Sequence, residues 1–134
     1  MHILQGIDMV QVSKLEKMLL ASPGFAAQIF TDKEREYCFA MARPYVHLAG
    51  RFAAKEACLK ALGLGLSGEG IDGALRDIEV VCGISGRPDL LVKGRVEKAG
   101  RRRKVCQYTV SISHSGDFAV ASVVLAVGEN RQCV

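Results

Sequence analysis

Between Gly50 and Gly63 the chain reads GRFAAKEACLKALG, a run of helix formers closed by a glycine. At about 100° per residue with Phe52 at zero, Leu59 falls at about −20°, Leu48 at about −40° and Leu62 at about −80°, forming one apolar stripe. Ala54, Ala57 and Ala61 cluster on the opposite side, at about 140° to 200° by the same count, where small residues let another backbone approach closely. A helix apolar on two opposed faces is a buried element, so the rest of the chain has to sandwich it. Four charges must share what is left. Glu56 and Lys60 lie side by side on one margin, at about +40° and +80°. Arg51 and Lys55 lie on the other, Lys55 close to the leucine stripe. On an average surface helix Glu56 and Lys60 would be an i, i+4 pair contributing roughly a few tenths of a kcal/mol. On a narrow, partly desolvated margin each charge needs a partner, because an unpaired buried charge costs several kcal/mol. Periodicity does not choose between a mutual ion pair and a site that holds a metal ion and a phosphate. For Lys55 the sequence offers no partner.

The surrounding chain predicts how the sandwich is made. Ile3 to Val12 is rich in aliphatic and β-branched residues and reads as an opening strand. Ser13 is placed to cap a short helix, Lys14 to Leu20, stopped by Ser22-Pro23-Gly24. Thr31-Asp32-Lys33-Glu34 is a capping-box pattern that starts a helix running to about Ala42. Pro44 suits the first turn of the buried helix, which runs to Leu62 and stops at Gly63. The segment from Gly63 to Gly73 holds five glycines in eleven residues and reads as a loop. Then the period changes. Asp77 to Cys82 and Asp89 to Val92 read as strands around a Ser85-Gly86-Arg87-Pro88 turn, and Lys93 to Gly100 as a short helix. Val105 to Ser113 and Phe118 to Val127 read as two further strands joined at Ser115-Gly116-Asp117. Helices mainly in the N-terminal half and antiparallel strands mainly in the C-terminal half give an α+β fold, expected as one small domain over residues 1–134.

Several classes of function fit badly. No apolar run reaches the roughly 18 residues of a membrane span, and MHILQGIDMV lacks the basic start of a signal peptide, so a cytoplasmic protein is expected. Five scattered cysteines without a CxxC pair suit free thiols better than a zinc site or a disulfide framework. The net charge of +4 suggests an anionic partner only weakly. The basic run Arg101-Arg102-Arg103-Lys104 reads as a solvated turn, since no aromatic residues interleave it as nucleic-acid binding would want.

Asp8 is the second unexpected charge. It stands in GIDMV, inside an otherwise apolar strand where aspartate is disfavoured. It reads either as a strand-end residue that caps a backbone group or, with Glu56, as one of two oxygen ligands suited to Mg²⁺. In the second case Lys60, one turn from Glu56, is placed to neutralise phosphate charge.

GIDMV, FTDKEREYC, LAGRFAAKEACLKALG, DIEV, GRP and SISHS occur here in the order seen in the bacterial holo-[acyl-carrier-protein] synthases, the small 4′-phosphopantetheinyl transferases, and the chain resembles that family over nearly its whole length. The resemblance implies the 4′-phosphopantetheinyl transferase fold. It also implies Mg²⁺-dependent transfer of the phosphopantetheine arm of coenzyme A to a serine of apo acyl carrier protein, with release of adenosine 3′,5′-bisphosphate, in fatty acid biosynthesis. By the same resemblance Asp8 and Glu56 bind Mg²⁺, and Lys60 approaches the diphosphate as a candidate catalytic residue. The active sites are implied to lie between the subunits of a homotrimer. There Gly86, Arg87 and Pro88, with Ser113 and His114, line a neighbour's nucleotide pocket, and Arg51 lies near the 3′-phosphate. His114 has a structural alternative, as it follows Val110 and Ile112 on one strand face just before a turn. Lys14 and Lys17, roughly on one helix face, are the expected docking residues for an acidic carrier protein. The base that takes the serine proton stays open between Glu56 and a metal-bound water. The glycine-rich stretch from Leu66 to Arg76 and the run Arg101 to Lys104 depart from the family pattern. Three rivals are separable: a basic nucleic-acid-binding module, which leaves Asp8 and Glu56 without a role; a non-catalytic relative, at odds with the presence of Asp8, Glu56 and Lys60; and the same chemistry on a polyketide or other specialised carrier.

Overall fold

The computed structural model describes residues 2–64 and 73–128. Its elements run β1 (His2–Gln11), α1 (Val12–Ala21), α2 (Phe25–Ile29), α3 (Asp32–Phe39), α4 (Pro44–Ala61), β2 (Ile78–Cys82), β3 (Pro88–Val92), α5 (Gly94–Arg102), β4 (Val105–Ser115) and β5 (Phe118–Val127). The α+β expectation holds. β1, β5 and β4 form an antiparallel sheet in that order, and β2 and β3 a separate antiparallel hairpin.

α4 is the buried helix, and its two faces meet different partners. Leu48, Leu59 and Leu62 are essentially inaccessible, as are Ala54 and Ala57. The small-residue face lies on the three-stranded sheet. A Cβ on Gly6 of β1 would sit 1.9 Å from the Ala57 carbonyl oxygen, and one on Gly50 would sit 2.8 Å from Ile112 of β4. Glycine is therefore required at both crossings, for want of space rather than for backbone freedom. Leu59 and Leu62 share a core cluster with Ile78, Val80 and Val96 from the hairpin and α5, whereas Leu48 joins the cluster of Leu15, Ile29 and Phe30. Phe52, the origin of the helical wheel, is only half-buried and leans on that second cluster. Gly63 takes φ +73, with Leu64 N donating to Leu59 O and Gly63 N to Lys60 O. This is the glycine-closed helix end that the sequence announces.

Local signals elsewhere are partly corrected. Thr31 and Glu34 form both halves of the capping box, but α3 stops at Phe39 rather than Ala42. Ser13 is not a cap. The helix begins at Val12, and Asp117 in the β4–β5 turn accepts from Ser13 N at 3.1 Å and Ser13 Oγ at 2.5 Å. A carboxylate distant in sequence thus does the work expected of the serine, and α1 is anchored to the sheet. α2 has no counterpart in the sequence reading. Pro88 belongs to β3, and β4 runs on through His114 and Ser115. Arg101 and Arg102 form the last turn of α5 rather than a loop; Arg101 pairs with Glu97 at 2.6 Å, and Arg103 packs beside Gly63. Cys38, Cys58 and Cys82 are free thiols, but Cys106 is disulfide-bonded, against the expectation of thiols throughout. Most of the glycine-rich stretch lies outside the described residues.

Candidate active site

Gly6 sets the site. Because β1 touches the α4 backbone there, Asp8, two residues on and on the same face, comes level with the charged margin of the helix. Lys60 Nζ donates to Asp8 Oδ1 at 2.8 Å and to the Ile7 carbonyl at 3.2 Å. The sequence paired Lys60 with Glu56 across one helical turn; the structure turns it to the strand instead. Asp8 is the more enclosed partner, its side chain 11% exposed against 51% for Lys60. The second Asp8 oxygen, Oδ2, is buried with no hydrogen-bond partner. Burial first, and then the neighbouring Asp8 carboxyl, push the half-buried Glu56 up to about 8, with Lys60 pulling the other way. Two crowded carboxyls and one orphaned oxygen are a donor set that fits a hard divalent cation, which would relieve the repulsion and fill the empty acceptor.

A pH dependence follows from Glu56. Its folded pKa lies above the unfolded 4.5, so its contribution to stability is fully present below 4.5 and is lost as pH rises towards 8. In chelator-treated buffer, urea midpoints should fall across that window, and Glu56→Gln should flatten the slope.

The other candidates divide into separate groups. Arg51 is buried, its central carbon 4.4 Å from the centre of the Tyr37 ring. Burial lowers the His47 pKa, and the charges of Arg51 and His114 lower it further. His114 shares the inward face of β4 with Val110 and Ile112, whereas Ser113 alternates to the outer face opposite Val120. The structure thus gathers Arg51 and His114 but turns Ser113 away from them. Arg87 and Pro88 line a different cavity of about 330 Å³ with Gly83, Ser85 and residues of β4 from Gln107 to Val110. Gly86, at φ +78, shapes the hairpin turn that carries them. Lys14 and Lys17 project from the open face of α1, joined by Met18, which is 38% exposed. Sequence reasoning missed Tyr37, His47 and Met18. Only His47 carried a local signal, standing one turn before Arg51.

Lys55 acquires its partner here. It is fully buried, and its ammonium donates to Ile29 O at 2.7 Å, Glu34 Oε1 at 2.6 Å and Leu75 O at 2.8 Å.

Comparison with known proteins agrees with this picture. The family model of the 4′-phosphopantetheinyl transferase superfamily matches residues 5–123. The holo-[acyl-carrier-protein] synthase of Caldanaerobacter subterraneus subsp. tengcongensis is 35% identical over 130 residues, spanning 97% of this chain and 99% of its own. The Chronobacterium ammoniagenes ACPS-CoA complex superposes with a TM-score of 0.82 at 29% identity, over 96% of this chain and 100% of the other. A Bacillus anthracis holo-(acyl-carrier-protein) synthase in complex with CoA (3′,5′-ADP) gives a TM-score of 0.73 at 36% identity, over 93% and 96% of the two chains.

Proposed function

The chain belongs to the 4′-phosphopantetheinyl transferase superfamily, and on that premise we propose that it is a holo-[acyl-carrier-protein] synthase. It transfers 4′-phosphopantetheine from coenzyme A to a serine of an acidic apo acyl carrier protein, releases adenosine 3′,5′-bisphosphate and serves fatty acid biosynthesis. The observation that carries the reading is the meeting of Asp8, Glu56 and Lys60, with Asp8 Oδ2 left unpartnered. Asp8 and Glu56 would hold Mg²⁺, whose positive charge favours the diphosphate and the negative charge that develops when it is cleaved. The serine hydroxyl gives its proton to Glu56 or to a neighbouring water as its oxygen bonds to the β-phosphorus; the bond to the bridging oxygen breaks, and the leaving bisphosphate takes that electron pair. Lys60 is the nearby ammonium that stabilises this charge, while its hold on Asp8 keeps that carboxylate oriented. Arg51, His114 and the Gly86-Arg87-Pro88 turn are assigned to the nucleotide, and Lys14 and Lys17, with Met18, to carrier docking.

A homotrimer with sites between subunits belongs to the same reading. The outer face of the β1-β5-β4 sheet supports it. Ile3, Ile7 and Met9 are 68%, 61% and 65% exposed in the single chain, and Phe118 is 44% exposed. An apolar sheet face of that kind calls for a protein cover. No described helix is long and apolar enough to cross a membrane.

The decisive experiment incubates the protein with CoA, Mg²⁺ and a panel of apo carrier proteins, fatty-acid and polyketide types included. Mass spectrometry should find one phosphopantetheine added to the fatty-acid carrier. No gain on any carrier would sink the transferase reading, and sedimentation at the mass of three chains checks the assembly.

A further inference from the structure

α1 leaves the strand that carries Asp8 without a linker. β1 ends at Gln11 and α1 begins at Val12, so Lys14 follows Asp8 by only six residues. Val12, Leu15 and Leu19 bury the underside of α1, but Gln11 at its N-cap position supplies no side-chain cap. The first turn is held instead by one residue from the β4–β5 turn, which the Gln11–Phe118 pairing brings beside the end of β1. Asp117 O accepts from Val12 N at 2.8 Å, Oδ1 from Ser13 N at 3.1 Å, and Oδ2 from Ser13 Oγ at 2.5 Å and Gln11 Nε2 at 3.1 Å. All four bonds go to three consecutive residues at the start of one helix, where a negative charge also meets the positive end of the helix dipole.

The place of this carboxylate is at odds with its charge. Asp117 is exposed and bonded to the residue before Lys14, on the surface assigned to an acidic carrier. The Ser13 hydroxyl above all, with Gln11 and Ser13 N, holds its pKa below the ordinary value, so it stays ionised. By charge alone an anion there repels the carrier and slows its approach. Its bonds supply the opposite contribution, since they fix the direction in which α1 leaves the sheet.

We propose that Asp117 is a positioning residue for carrier docking: it clamps the first turn of α1 so that Lys14, Lys17 and Met18 aim the carrier's serine at Asp8, Glu56 and Lys60. This role rests on the transferase reading. Without the carboxylate, α1 stays attached through its buried residues and through the backbone carbonyl at 117, which any residue supplies. Its first turn then samples other directions, and only a fraction of molecules presents the docking face correctly. Apparent affinity for the carrier falls by that fraction, while a carrier once bound is processed as before. Coenzyme A, which is not assigned to α1, is unaffected.

The test measures initial rates of Asp117→Ala with apo fatty-acid carrier protein and with CoA as the varied substrate. KM for the carrier should rise about fivefold, on the scale of a lost helix cap, with kcat and KM for CoA within about twofold of the parent. Asp117→Asn keeps an oxygen for Ser13 N but loses the second acceptor, so its carrier KM should fall between the two. A mere surface charge predicts the opposite sign, because removing a repelling carboxylate would lower the carrier KM. A role in the fold alone predicts less active enzyme, hence a lower kcat at unchanged KM. In a Lys14→Ala background, Asp117→Ala should add less than its own factor, since both act on one docking face. Should Asp117→Ala fail to fold, Ser13→Ala replaces it; losing only the hydroxyl bond, it should raise the carrier KM about twofold. A parent that modifies no carrier removes the transferase reading and this role together. An active parent whose variants show an unchanged or lowered carrier KM, a loss of kcat alone, or full additivity with Lys14→Ala overturns the role of Asp117 and leaves the transferase reading in place.

Discussion

Lys55→Met is expected to destabilise the protein by roughly 3–5 kcal/mol, the cost of removing one partner of a buried ion pair. Typical domain stabilities are about 5–15 kcal/mol, so the variant should be partly unfolded or easily melted. The ammonium is fully buried and its three donors are all used, on Ile29 O, Glu34 Oε1 and Leu75 O. Glu34 in turn accepts from Thr31 N and Val80 N, each at 2.9 Å. One lysine therefore fastens α4 to the end of α2, to α3, to the turn before β2 and to β2 itself. Burial lowers the Lys55 pKa and the Glu34 carboxylate only works against that shift, so the pair is costly to desolvate and its value lies in being complete. The double variant Lys55→Met/Glu34→Leu separates the two effects. It removes the stranded carboxylate and should recover part of the loss. Full recovery is not expected, because Ile29 O, Thr31 N and Val80 N then lose these partners, while Leu75 O keeps only the donation from Ile78 N at 3.4 Å. Urea midpoints measure both variants, and a Lys55→Met change below about 1 kcal/mol would mean that the network contributes no more than a surface pair.

How much of this could be read from residues alone depends on range. The two-faced helix, its glycine stop, the capping box and the β4–β5 hairpin were legible because each is decided within a few turns of chain. Asp8 was legible for a different reason: a charge in an apolar strand is a local contradiction that calls for a distant answer. What stayed hidden was the answer itself. The direction in which Lys60 turns, and the group that receives Lys55, depend on how α4 crosses the sheet. That crossing is set by backbone contact at Gly6 and by the Ile112 side chain against Gly50, which no helical wheel contains. Ser13 failed as a cap for the same reason, since Asp117 is brought to the start of α1 only by the sheet. α2, five residues long and without a side-chain cap, had no local signature to find. The site was thus legible as a set of residue types before it was legible as a geometry, and Arg51 and Tyr37 became neighbours only in three dimensions.

Asp8→Asn and Glu56→Gln are expected to lower Mg²⁺-dependent turnover by roughly 10²–10³-fold or more, the usual scale for losing one group that stabilises developing charge. The more informative result is what should happen to stability. In Asp8→Asn the side-chain oxygen can still accept from Lys60, and an amide NH₂ replaces the buried, unpartnered Oδ2. That amide donates where a second carboxylate had repelled, so the Glu56 pKa, held near 8 by burial and by Asp8, should fall back towards 4.5. The metal-free variant should then be as stable as the parent at pH 8 or more so, while raising the Mg²⁺ concentration fails to restore its rate. A residue kept for the fold would behave in the opposite way, losing stability when altered. Opposed movements of stability and turnover are the signature of a site whose carboxylates are crowded for the sake of a cation. Initial rates titrated with Mg²⁺, beside urea unfolding in chelator at the same pH, measure both halves. A near-parent rate in either variant would remove Asp8 and Glu56 from the chemistry. A low rate accompanied by a large loss of stability would instead make them structural, because unlike an isosteric amide at a ligand position, a broken structural contact weakens the fold whether or not a metal is present.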